Sequence, residues 1–582
     1  MAASHENGVQ TTDPMQLLPS ELVLRILEFT PASGLAALTR LNRSWNTFID
    51  HTHQEAIYSH PSKTNHPPGA KDFQFLSSYK TYSRYFSNVE SWKVLCRRQT
   101  LLSRNWLKEI PETRETLVGV RNGAVWRFRP DFKRRFFLNT SQMGGLDVTD
   151  MDTGELLFRL DAETVRPFAH LEYQDGTAVW DKVDDALEVW RTDLEGCTRG
   201  CFRRVAVLPH DRQTRGFQLS YDTLCVVSSE CRGFVYDMKG TPELQRTIEI
   251  EEGAVGHLDQ CEDVVVFSLG LAGYHFYEKA SGRFLGTLDP TECENLHHII
   301  HPASDEEITF GYNGVSTDEV SNVMVPRHIR FRQLVPLKIS VGGYPREMEE
   351  GISLEEDEWG AGMICGNLMV GVSRGGRIFA CSNWRSALQS HQGLVDNSAI
   401  VECDSNGSTF DLGGWLSVRD HRMLCEVKEK VYVLGLTDDD QFVSSDRKTA
   451  HPSFAFGKSM ASLFGAPVSF MAFYDDCIMT TYTTLRYVEE PAPQIFGHQQ
   501  PVTRTLPTKA IRIVSLAPRL SDGHEEQRQE GRPPTSDGVV HGIGSEELIA
   551  MLDGAGNVEE VSDDEEGNQF FVDAEENDDD LV

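Results

Sequence analysis

One short motif in this chain has the residues of a possible nucleophile. Ser373 lies at the centre of a G-x-S-x-G sequence, the pattern of the strand–turn–helix elbow that presents a catalytic serine in many hydrolases. Here Gly375 and Gly376 follow the serine, and a second β-rich run begins at once. The sequence therefore predicts a hairpin at this position and no nucleophilic serine.

A second set of residues has the types that bind zinc. Cys293, His297 and His301 recur every four residues, which on a helix would place a thiolate and two imidazoles on one side. The adjacent Ile299 and Ile300, between strand-like segments, favour a strand or loop, where this spacing loses its advantage. We expect no metal site, no other cofactor and no catalytic residues, and hence a protein that is not an enzyme.

A third set is basic and could bind an anion. Five arginines and a single acidic residue occur between positions 199 and 215, in a chain whose net charge is −33. Several guanidinium groups together can bind a phosphorylated or acidic segment through paired hydrogen bonds. The alternative is a solvated loop with local salt bridges. The arginines are Arg199, Arg203, Arg204, Arg212 and Arg215.

Composition separates a folded body from an acidic end. The chain has 582 residues, and 40% of them are apolar, which is enough to build several cores. Residues 533–582 contain 16 Asp or Glu and no Lys or Arg. We expect a disordered acidic tail over 521–582 and a disordered N-terminus over 1–14. An acidic surface repels phosphate backbones, so nucleic acid is not an expected partner.

The chain also lacks the usual features of a secreted or membrane protein. Its N-terminus has no apolar signal-like segment, and no apolar run approaches the length of a membrane span. The 12 cysteines show no C-x-x-C spacing, which is typical of reduced thiols in an intracellular protein. We therefore expect a cytoplasmic or nuclear location, or both, and no membrane partner.

The segment 15–53 has the pattern of three short helices. Pro19 falls in a first turn, an apolar face follows, and Pro31 ends the helix; Ser33 and Ser44 are suited to cap the next two. Three such helices cannot bury this much apolar surface among themselves. Another protein or the rest of the chain must cover part of it.

The Leu-Pro start, the central leucines and the tryptophan of this segment resemble the F-box. That resemblance implies binding to a Skp-type adaptor, which bridges to a cullin scaffold in a ubiquitin ligase. Residues 54–110, helical around Trp92 and Trp106, resemble the linker of F-box/WD-repeat proteins. The residues implied to bind the adaptor are Leu18, Pro19, Leu22, Ile26, Leu27, Leu35, Leu38, Leu41, Trp45 and Ile49.

Residues 111–520 change to short β-rich runs separated by Gly, Asp and Asn turns. One strand recurs at spacings of roughly 40–55 residues, followed in several copies by a turn and another strand, which predicts a seven- or eight-bladed β-propeller resembling degenerate WD repeats. Two β-sandwiches are the alternative. The strand at 509–518 is predicted to close the ring by pairing with the first blade. The recurring strands centre on Val148, Val189, Val235, Phe276, Phe331, Phe379, Val433 and Tyr487.

The predicted fold class is thus a multidomain α and all-β chain: a three-helix F-box, a helical linker and a propeller. The resemblance implies a substrate-recognition subunit, whose propeller binds a protein substrate, often a phosphorylated one, on its upper face. Two other classes stay open. One is a Skp-binding scaffold that acts outside a ligase, and the other is a propeller enzyme.

Overall fold

The structure of the full chain is a computed structural model. The residues that the structure describes are 13–120, 124–182, 186–210, 213–250, 257–300, 315–317, 324–326, 334–343, 353–403, 415–427, 430–442, 451–459, 468–490 and 502–519. The predicted disordered tail over 521–582 and most of the predicted N-terminal segment lie outside them.

The N-terminal part is helical. Its helices are α1 (Pro14–Leu17), α2 (Ser20–Phe29), α3 (Ala32–Leu41), α4 (Arg43–Asn46), α5 (Gln54–Tyr58) and α6 (Trp92–Trp106), with a π-helical turn at Thr47–Thr52 and a 3₁₀ turn at Gln74–Ser78. Ser91 caps α6 by accepting a hydrogen bond from the backbone N–H of Val94 at 3.3 Å. None of the described helices could cross a bilayer.

The two predicted serine caps are wrong. Pro31 occupies the N-cap of α3, so Ser33 already lies within the helix. Asn42, not Ser44, caps α4, and its side-chain oxygen accepts the backbone N–H of Trp45 at 2.9 Å. In both places the N-cap is an earlier residue, because that residue has the extended backbone that an N-cap requires.

The region after the helices contains five separate four-stranded antiparallel sheets among the described residues. Each of four sheets uses consecutive strands, and one combines the first strand with the last three. Their strands are β2 (Val125–Asp131), β3 (Phe136–Ser141), β4 (Leu146–Asp150), β5 (Leu156–Leu160); β6 (Leu171–Gln174), β7 (Thr177–Asp181), β8 (Ala186–Arg191), β9 (Arg203–Pro209); β10 (Thr214–Ser220), β11 (Thr223–Ser228), β12 (Arg232–Asp237), β13 (Glu243–Glu249); β14 (Leu258–Gln260), β15 (Val264–Ser268), β16 (Tyr274–Glu278), β17 (Phe284–Leu288); and β1 (Arg114–Val118), β30 (Met471–Phe473), β31 (Cys477–Glu490), β32 (Val502–Ser515).

Two further four-stranded units are joined edge to edge. They are bridged by β18 and β21, which pair with the outer strands of the two units, so that ten strands form one sheet. A separate hairpin, β19–β20, lies between β18 and β21 in the chain. The strands are β18 (Leu296–Ile300), β19 (Val315–Thr317), β20 (Met324–Pro326), β21 (Val335–Val341), β22 (Trp359–Cys365), β23 (Leu368–Ser373), β24 (Arg377–Cys381), β25 (Ser398–Glu402), β26 (Leu416–Arg419), β27 (Arg422–Val427), β28 (Lys430–Gly435) and β29 (Ser453–Gly457); helices α7 (Trp384–Ala387) and α8 (His391–Asn397) precede β25.

The described strands therefore make seven four-stranded units arranged as a ring. The first strands of consecutive units contact one another from β2 through β6, β10, β14, β22 and β26 to β30, and β2 contacts β31 and β32 of the last unit. Apolar side chains such as Phe128 and Phe137 fill the spaces between neighbouring units. This arrangement is consistent with a β-propeller and confirms the predicted fold class.

The ring closes through the two ends of the β region. β1 pairs antiparallel with β32 from Arg114 opposite Ser515 to Val118 opposite Ile511, and so becomes the outer strand of the last unit. The strand at 509–518 takes part in closing the ring, but the predicted pairing with the first blade is wrong. The partner is the first strand of the region, which belongs to the last unit.

Most of the predicted recurring strands are the third strands of these units. The centres at Val148, Val189, Val235, Phe276, Phe379 and Val433 lie on β4, β8, β12, β16, β24 and β28, and each is third in its unit. Tyr487 lies on β31, the second strand of the last unit, because β1 and not a C-terminal strand completes that unit. The predicted centre at Phe331 lies outside the described residues.

Candidate functional site

One edge of α2 is apolar and exposed. Leu22 and Ile26 are each 52% exposed and Phe29 is 75% exposed, and Pro19 at the N-cap is exposed as well. These residues are spaced three or four apart, so they share one face of the helix. A contiguous apolar edge on a helix is the surface that another protein would cover.

The opposite edge of α2 is buried in the helical module. Val23 and Leu27 pack there with Leu35, Trp45 and Ile49, which are at most 6% exposed. Four of the ten predicted adaptor-binding residues (Leu27, Leu35, Trp45, Ile49) therefore support the edge from inside. Leu18 and Leu38 are half-buried, while Pro19, Leu22, Ile26 and Leu41 are exposed.

The caps of two helices brace the start of this module. The side chain of Asp13 accepts the backbone N–H of Met15 at 3.0 Å and so caps α1. The side-chain nitrogen of Asn42, which caps α4, donates to the other oxygen of Asp13 at 3.3 Å. The two caps are thus linked, and they fix the segment that leads into α2.

The helical module and the last sheet share one hydrophobic core. Leu95 and Leu102 of α6 belong to the same buried cluster as Phe473, Ile478 and Val514 of the last four-stranded unit. The indole ring of Trp106 lies 6.0 Å from the ring of Phe473, centroid to centroid. The module is therefore packed onto the ring as a continuation of its core. This contact was not predicted from the sequence.

Polar contacts reinforce this junction. Asp476, in the turn between β30 and β31, is fully buried and accepts the backbone N–H groups of Tyr82 at 2.8 Å and Ser83 at 2.9 Å. The side-chain nitrogen of Asn105 donates to the carbonyl of Leu516 at 2.7 Å. Each contact satisfies a buried polar group from the other part of the chain.

These contacts define two faces of the ring. Residues 81–84, in the linker before α6, contact turns that follow the first or third strand of a unit, such as Asp476 after β30, Arg135 after β2 and Asp152 after β4. We call this the helix-bearing face. On the opposite face, which we call the mouth face, the first strand of each unit begins, because the strands alternate in direction.

The structure does not bring the described arginines of the 199–215 segment together. Arg199 precedes β9 on the helix-bearing face, and Arg203 and Arg204 begin that strand. Arg215 begins β10 at the mouth face, a full strand of seven residues away. Arg212 lies outside the described residues.

Two of these arginines already have carboxylate partners. Arg199 forms an ion pair with Asp150, and Arg204 pairs with the buried Glu188 at 2.8 Å. Arg203 donates to the backbone carbonyl of Glu195 at 3.1 Å. The Arg204–Glu188 pair is the kind of local salt bridge that the alternative interpretation expects, whereas Arg199 pairs with a residue of the neighbouring unit. An anion would compete with a carboxylate for Arg199 and Arg204.

A different cationic site lies at the mouth face. Arg127, third residue of β2, has its Nε and Nη1 atoms buried without a hydrogen-bond partner among the described residues. Its guanidinium lies 3.9 Å from the ring centroid of Trp415. Burial and the charge of Arg129 lower the pKa of Arg127. A negative group bound there would stabilise this cation.

Two histidines from other units approach the same point. His170 and His257 directly precede β6 and β14, and their pKa values are lowered by burial and by the charge of Arg127. The pKa of His257 falls to about 4, so this ring is neutral near pH 7. This site could not be predicted from the sequence because its residues come from distant repeats.

The predicted hairpin around Ser373 is confirmed. Ser373 ends β23, and its Oγ accepts the backbone N–H of Arg377 at 2.9 Å where β24 begins. The serine is 1% exposed, and the element that follows it is a strand and not a helix. Its hydroxyl therefore stabilises the turn between the two strands. His297 lies on β18, as its strand prediction requires, and His301 lies outside the described residues.

Comparisons with known proteins assign one part of the chain. The F-box domain model matches residues 15–53, so this segment is an F-box domain. No curated protein matches the chain. Among solved structures, the computationally designed Ika8 protein matches with 13% identity and a TM-score of 0.37, over 63% of this chain and 95% of its own. BamB from Moraxella catarrhalis matches with 10% identity and a TM-score of 0.36, over 69% and 100%.

These comparisons bear unequally on the two parts of the chain. F-box domains bind Skp-type adaptors, and proteins that carry them are typically non-catalytic. The two structural matches are too distant to carry an argument, so the description of the ring rests on its own strands. A WD-repeat type for this ring stays a prediction.

Proposed function

We propose that this chain is a non-catalytic substrate receptor of a Skp–cullin–F-box ubiquitin ligase. The F-box docks on a Skp-type adaptor, the adaptor connects it to a cullin scaffold, and the ring of sheets binds a protein substrate. We further propose that the chain acts in the cytoplasm, the nucleus or both.

The observation that carries this proposal is the exposed apolar edge of α2. Leu22, Ile26 and Phe29 face solvent on a helix whose other edge is fully packed. Such an edge is costly to leave in water, at roughly 25 cal/mol per Å² of apolar surface. It lies within the segment that the F-box model matches.

The junction supports the receptor role for a physical reason. A ligase accelerates transfer by holding a substrate lysine near the charged ubiquitin carrier, and this gain depends on a fixed geometry between two docking surfaces. The shared core and the buried Asp476 contacts fix the F-box relative to the ring. A flexible tether would lose much of this effect.

For the substrate side we propose the mouth face around Arg127. This guanidinium has two buried nitrogen atoms free of hydrogen bonds among the described residues, so an acidic or phosphorylated side chain could bind it without breaking a hydrogen bond of these two atoms. The bound group would share the cation with the carboxylates of Glu172 and Asp181, whose charges already act on it. Arg203 and Arg204 remain a second candidate surface. They lie on the helix-bearing face, where Arg204 is already paired with Glu188.

Co-purification from cells tests the proposal. The tagged full chain should recover both the adaptor and the cullin, and the Leu22→Asp/Ile26→Asp variant should lose both together. Leu244→Asp is a matched control, since Leu244 is 48% exposed on the outer strand β13, away from the F-box. Recovery of the adaptor without cullin would favour the scaffold alternative.

A further inference from the structure

The mouth face carries an exposed apolar patch beside Arg127. Met143, in the turn between β3 and β4, is 73% exposed, and Phe168, in the connection between β5 and β6, is 46% exposed. The ring of Phe168 lies 5.1 Å from that of Trp126, centroid to centroid. Apolar surface therefore extends from these side chains to the residue that directly precedes Arg127.

The backbone holds Phe168 in this exposed position. Its φ is +55°, in the left-handed region that a bulky residue rarely adopts. Its N–H donates to the carbonyl oxygen of Ser141 at 3.2 Å, which ties the connection to the end of β3. Such strain persists only where the surroundings impose it, and it clusters at sites that contact ligands. The exposed ring is thus a fixed part of the mouth face.

Two cations border this apolar patch. The guanidinium carbon of Arg127 and the Nζ atom of Lys509 each lie 5.6 Å from the ring centroid of Trp126. Arg127 is half-buried, and its Nε and Nη1 atoms have no hydrogen-bond partner among the described residues. The mouth face therefore combines positive charge with exposed aromatic and aliphatic side chains.

The carboxylates that act on Arg127 are also paired with other cations. Glu172 forms an ion pair with Arg129, and Asp181 forms one with Arg166. The three guanidinium groups outnumber these two carboxylates. This part of the mouth face is therefore locally positive, in a chain whose net charge is −33.

The sequence contains a segment of the opposite character. Residues 559–580, which we call the acidic segment, hold 12 Asp or Glu and no Lys or Arg. Within it, Phe570, Phe571 and Val572 form an apolar run between acidic ones. The acidic segment lies outside the described residues. Because the chain as a whole is acidic, most of its surface repels this segment, and a locally positive site is where it can bind.

The chain before the acidic segment is long enough to reach the mouth face. The described part ends at 519, after β32, on the helix-bearing face, where the carbonyl of Leu516 accepts a hydrogen bond from Asn105. An unstructured chain as long as residues 520–558 spans about 35 Å on average and at most about 130 Å. A strand of seven residues, such as β9, is only about 23 Å long. The distance between the two faces is therefore no obstacle.

We propose that the acidic segment docks on the mouth face and occupies the substrate site until a substrate displaces it. Its carboxylates bind Arg127, and Phe570 and Phe571 cover the exposed side chains of Phe168 and Met143. This inference rests on the proposed capture of substrates at the mouth face, and it adds a competitor that belongs to the same chain.

A weak contact is sufficient for this regulation. A segment tethered to its own site has an effective concentration on the order of 1 mM. At that concentration, a contact with a Kd of about 100 μM lowers the apparent affinity of a competing ligand roughly tenfold. Only ligands that bind the site much more tightly than the acidic segment are then captured.

Fluorescence anisotropy with a labelled synthetic peptide of residues 559–580 tests the proposal on the full chain. In a tail-neutral variant, all 12 acidic residues of the acidic segment are changed to Asn or Gln. This variant should bind the peptide, and the wild type should bind it at least tenfold more weakly because its own segment occupies the site. Adding Arg127→Gln to the tail-neutral variant should weaken binding at least tenfold. Adding Arg203→Ala and Arg204→Ala, on the opposite face, should change it less than twofold.

Peptide variants give a readout that does not depend on the folding of a changed protein. A peptide with Phe570→Ser and Phe571→Ser should bind the tail-neutral variant at least threefold more weakly, and a peptide without the acidic charges should not bind. Three results would each overturn the proposal: no binding of the peptide to the tail-neutral variant, equal binding to that variant and the wild type, or undiminished binding after Arg127→Gln.

Capture of partners from cells separates this proposal from the proposed function. Where the peptide results hold but Arg127→Gln retains partners as the wild type does, the docking of the acidic segment stands and the mouth face is not the substrate site. Where Arg127→Gln loses the partners but the wild type and the tail-neutral variant bind the peptide equally, the docking fails alone.

Discussion

The buried carboxylate of Asp476 accepts the backbone N–H of Ser83 at 2.9 Å, across 393 positions of sequence. The same carboxylate accepts the backbone N–H of Tyr82 and the hydroxyl of Ser83. One side chain from the last sheet thereby satisfies three donors of the helical linker. This contact ties the F-box to the ring, and it makes the orientation between them a property of the fold.

Replacing Asp476 should destabilise the whole chain. Asp476→Ala leaves two buried N–H groups without an acceptor, so we expect the free energy of unfolding to fall by about 2–4 kcal/mol. Urea denaturation followed by tryptophan fluorescence measures this change. Asp439→Ala, at an exposed aspartate, should change it by less than about 0.5 kcal/mol. Equal effects of the two variants would show that the junction contributes no stability.

Truncation should destabilise the chain much more at the buried edge of α2 than at the exposed edge. Leu27 is 0% exposed, so Leu27→Ala should lower the free energy of unfolding by about 2–5 kcal/mol through the cavity it leaves. Leu22→Ala, at a 52% exposed position, should lower it by less than about 1 kcal/mol. Parallel denaturation curves would decide this, and a large loss from Leu22→Ala would place that side chain in the core.

Substrate capture should depend on Arg127 more than on the arginines of β9. Arg127→Gln should weaken binding of a captured substrate at least tenfold, because a charge-assisted hydrogen bond contributes about 1.5–3 kcal/mol and 1.4 kcal/mol is one decade of affinity. Arg203→Ala with Arg204→Ala should change it less than threefold. The measurement is quantitative pull-down of partners retained by the full chain. The reverse order would assign recognition to the helix-bearing face.

Adaptor binding is the internal control for these arginine variants. Arg127, Arg203 and Arg204 all lie in the ring, so each variant should retain the adaptor at the wild-type level. Phosphatase treatment of the partner should reproduce the loss caused by Arg127→Gln where the recognised group is a phosphate. Capture that survives phosphatase but not Arg127→Gln would identify an acidic side chain as the recognised group.

Asp259 should give stability a distinct pH dependence. Burial raises its pKa to about 7, from an ordinary 3.8. Between about pH 4 and pH 7 the folded chain therefore holds a proton that the unfolded chain has released, and this contribution to stability is lost as the pH rises through that window. Above about pH 7 the protonated carboxyl of Asp259 no longer contributes to stability.

In the wild type, the backbone N–H of Ile364 donates to Oδ2 of Asp259 at 2.7 Å. Asp259→Asn removes the pH dependence and keeps a side-chain oxygen that can accept this hydrogen bond. The free energy of unfolding of the variant should rise relative to wild type by up to about 1.4 kcal/mol per pH unit across the window. Denaturation series at several pH values measure this difference. A difference that stays constant would mean that Asp259 titrates normally in the folded chain.

Local patterns predicted part of the elements of this fold. The apolar face between Pro19 and Pro31 predicted α2, and the β-rich runs predicted the third strands of six units. Both signals depend on side chains a few residues apart. The predicted caps failed because Pro31 and Asn42 compete for the same positions, a choice that backbone geometry decides.

Long-range contacts could not be predicted in this way. Arg127 and His257 are 130 positions apart and approach each other only because the ring brings separate units to a common axis. In the sequence, Asp476 looks like an ordinary aspartate of a turn. Its role as an acceptor at the junction depends on the linker that packs over it. The arginines of the 199–215 segment are close in sequence, yet a strand separates Arg204 from Arg215.

Direct titration of the purified full chain with a Skp-type adaptor tests the central claim most closely. Truncating interface anchors costs about 2–4 kcal/mol each, so Leu22→Ala with Ile26→Ala should weaken adaptor binding at least a hundredfold. Leu244→Ala, at a similarly exposed leucine of β13, should leave the affinity unchanged. We predict this difference in affinity while circular dichroism shows all variants to be equally folded. Wild-type affinity in the Leu22→Ala/Ile26→Ala variant would contradict it.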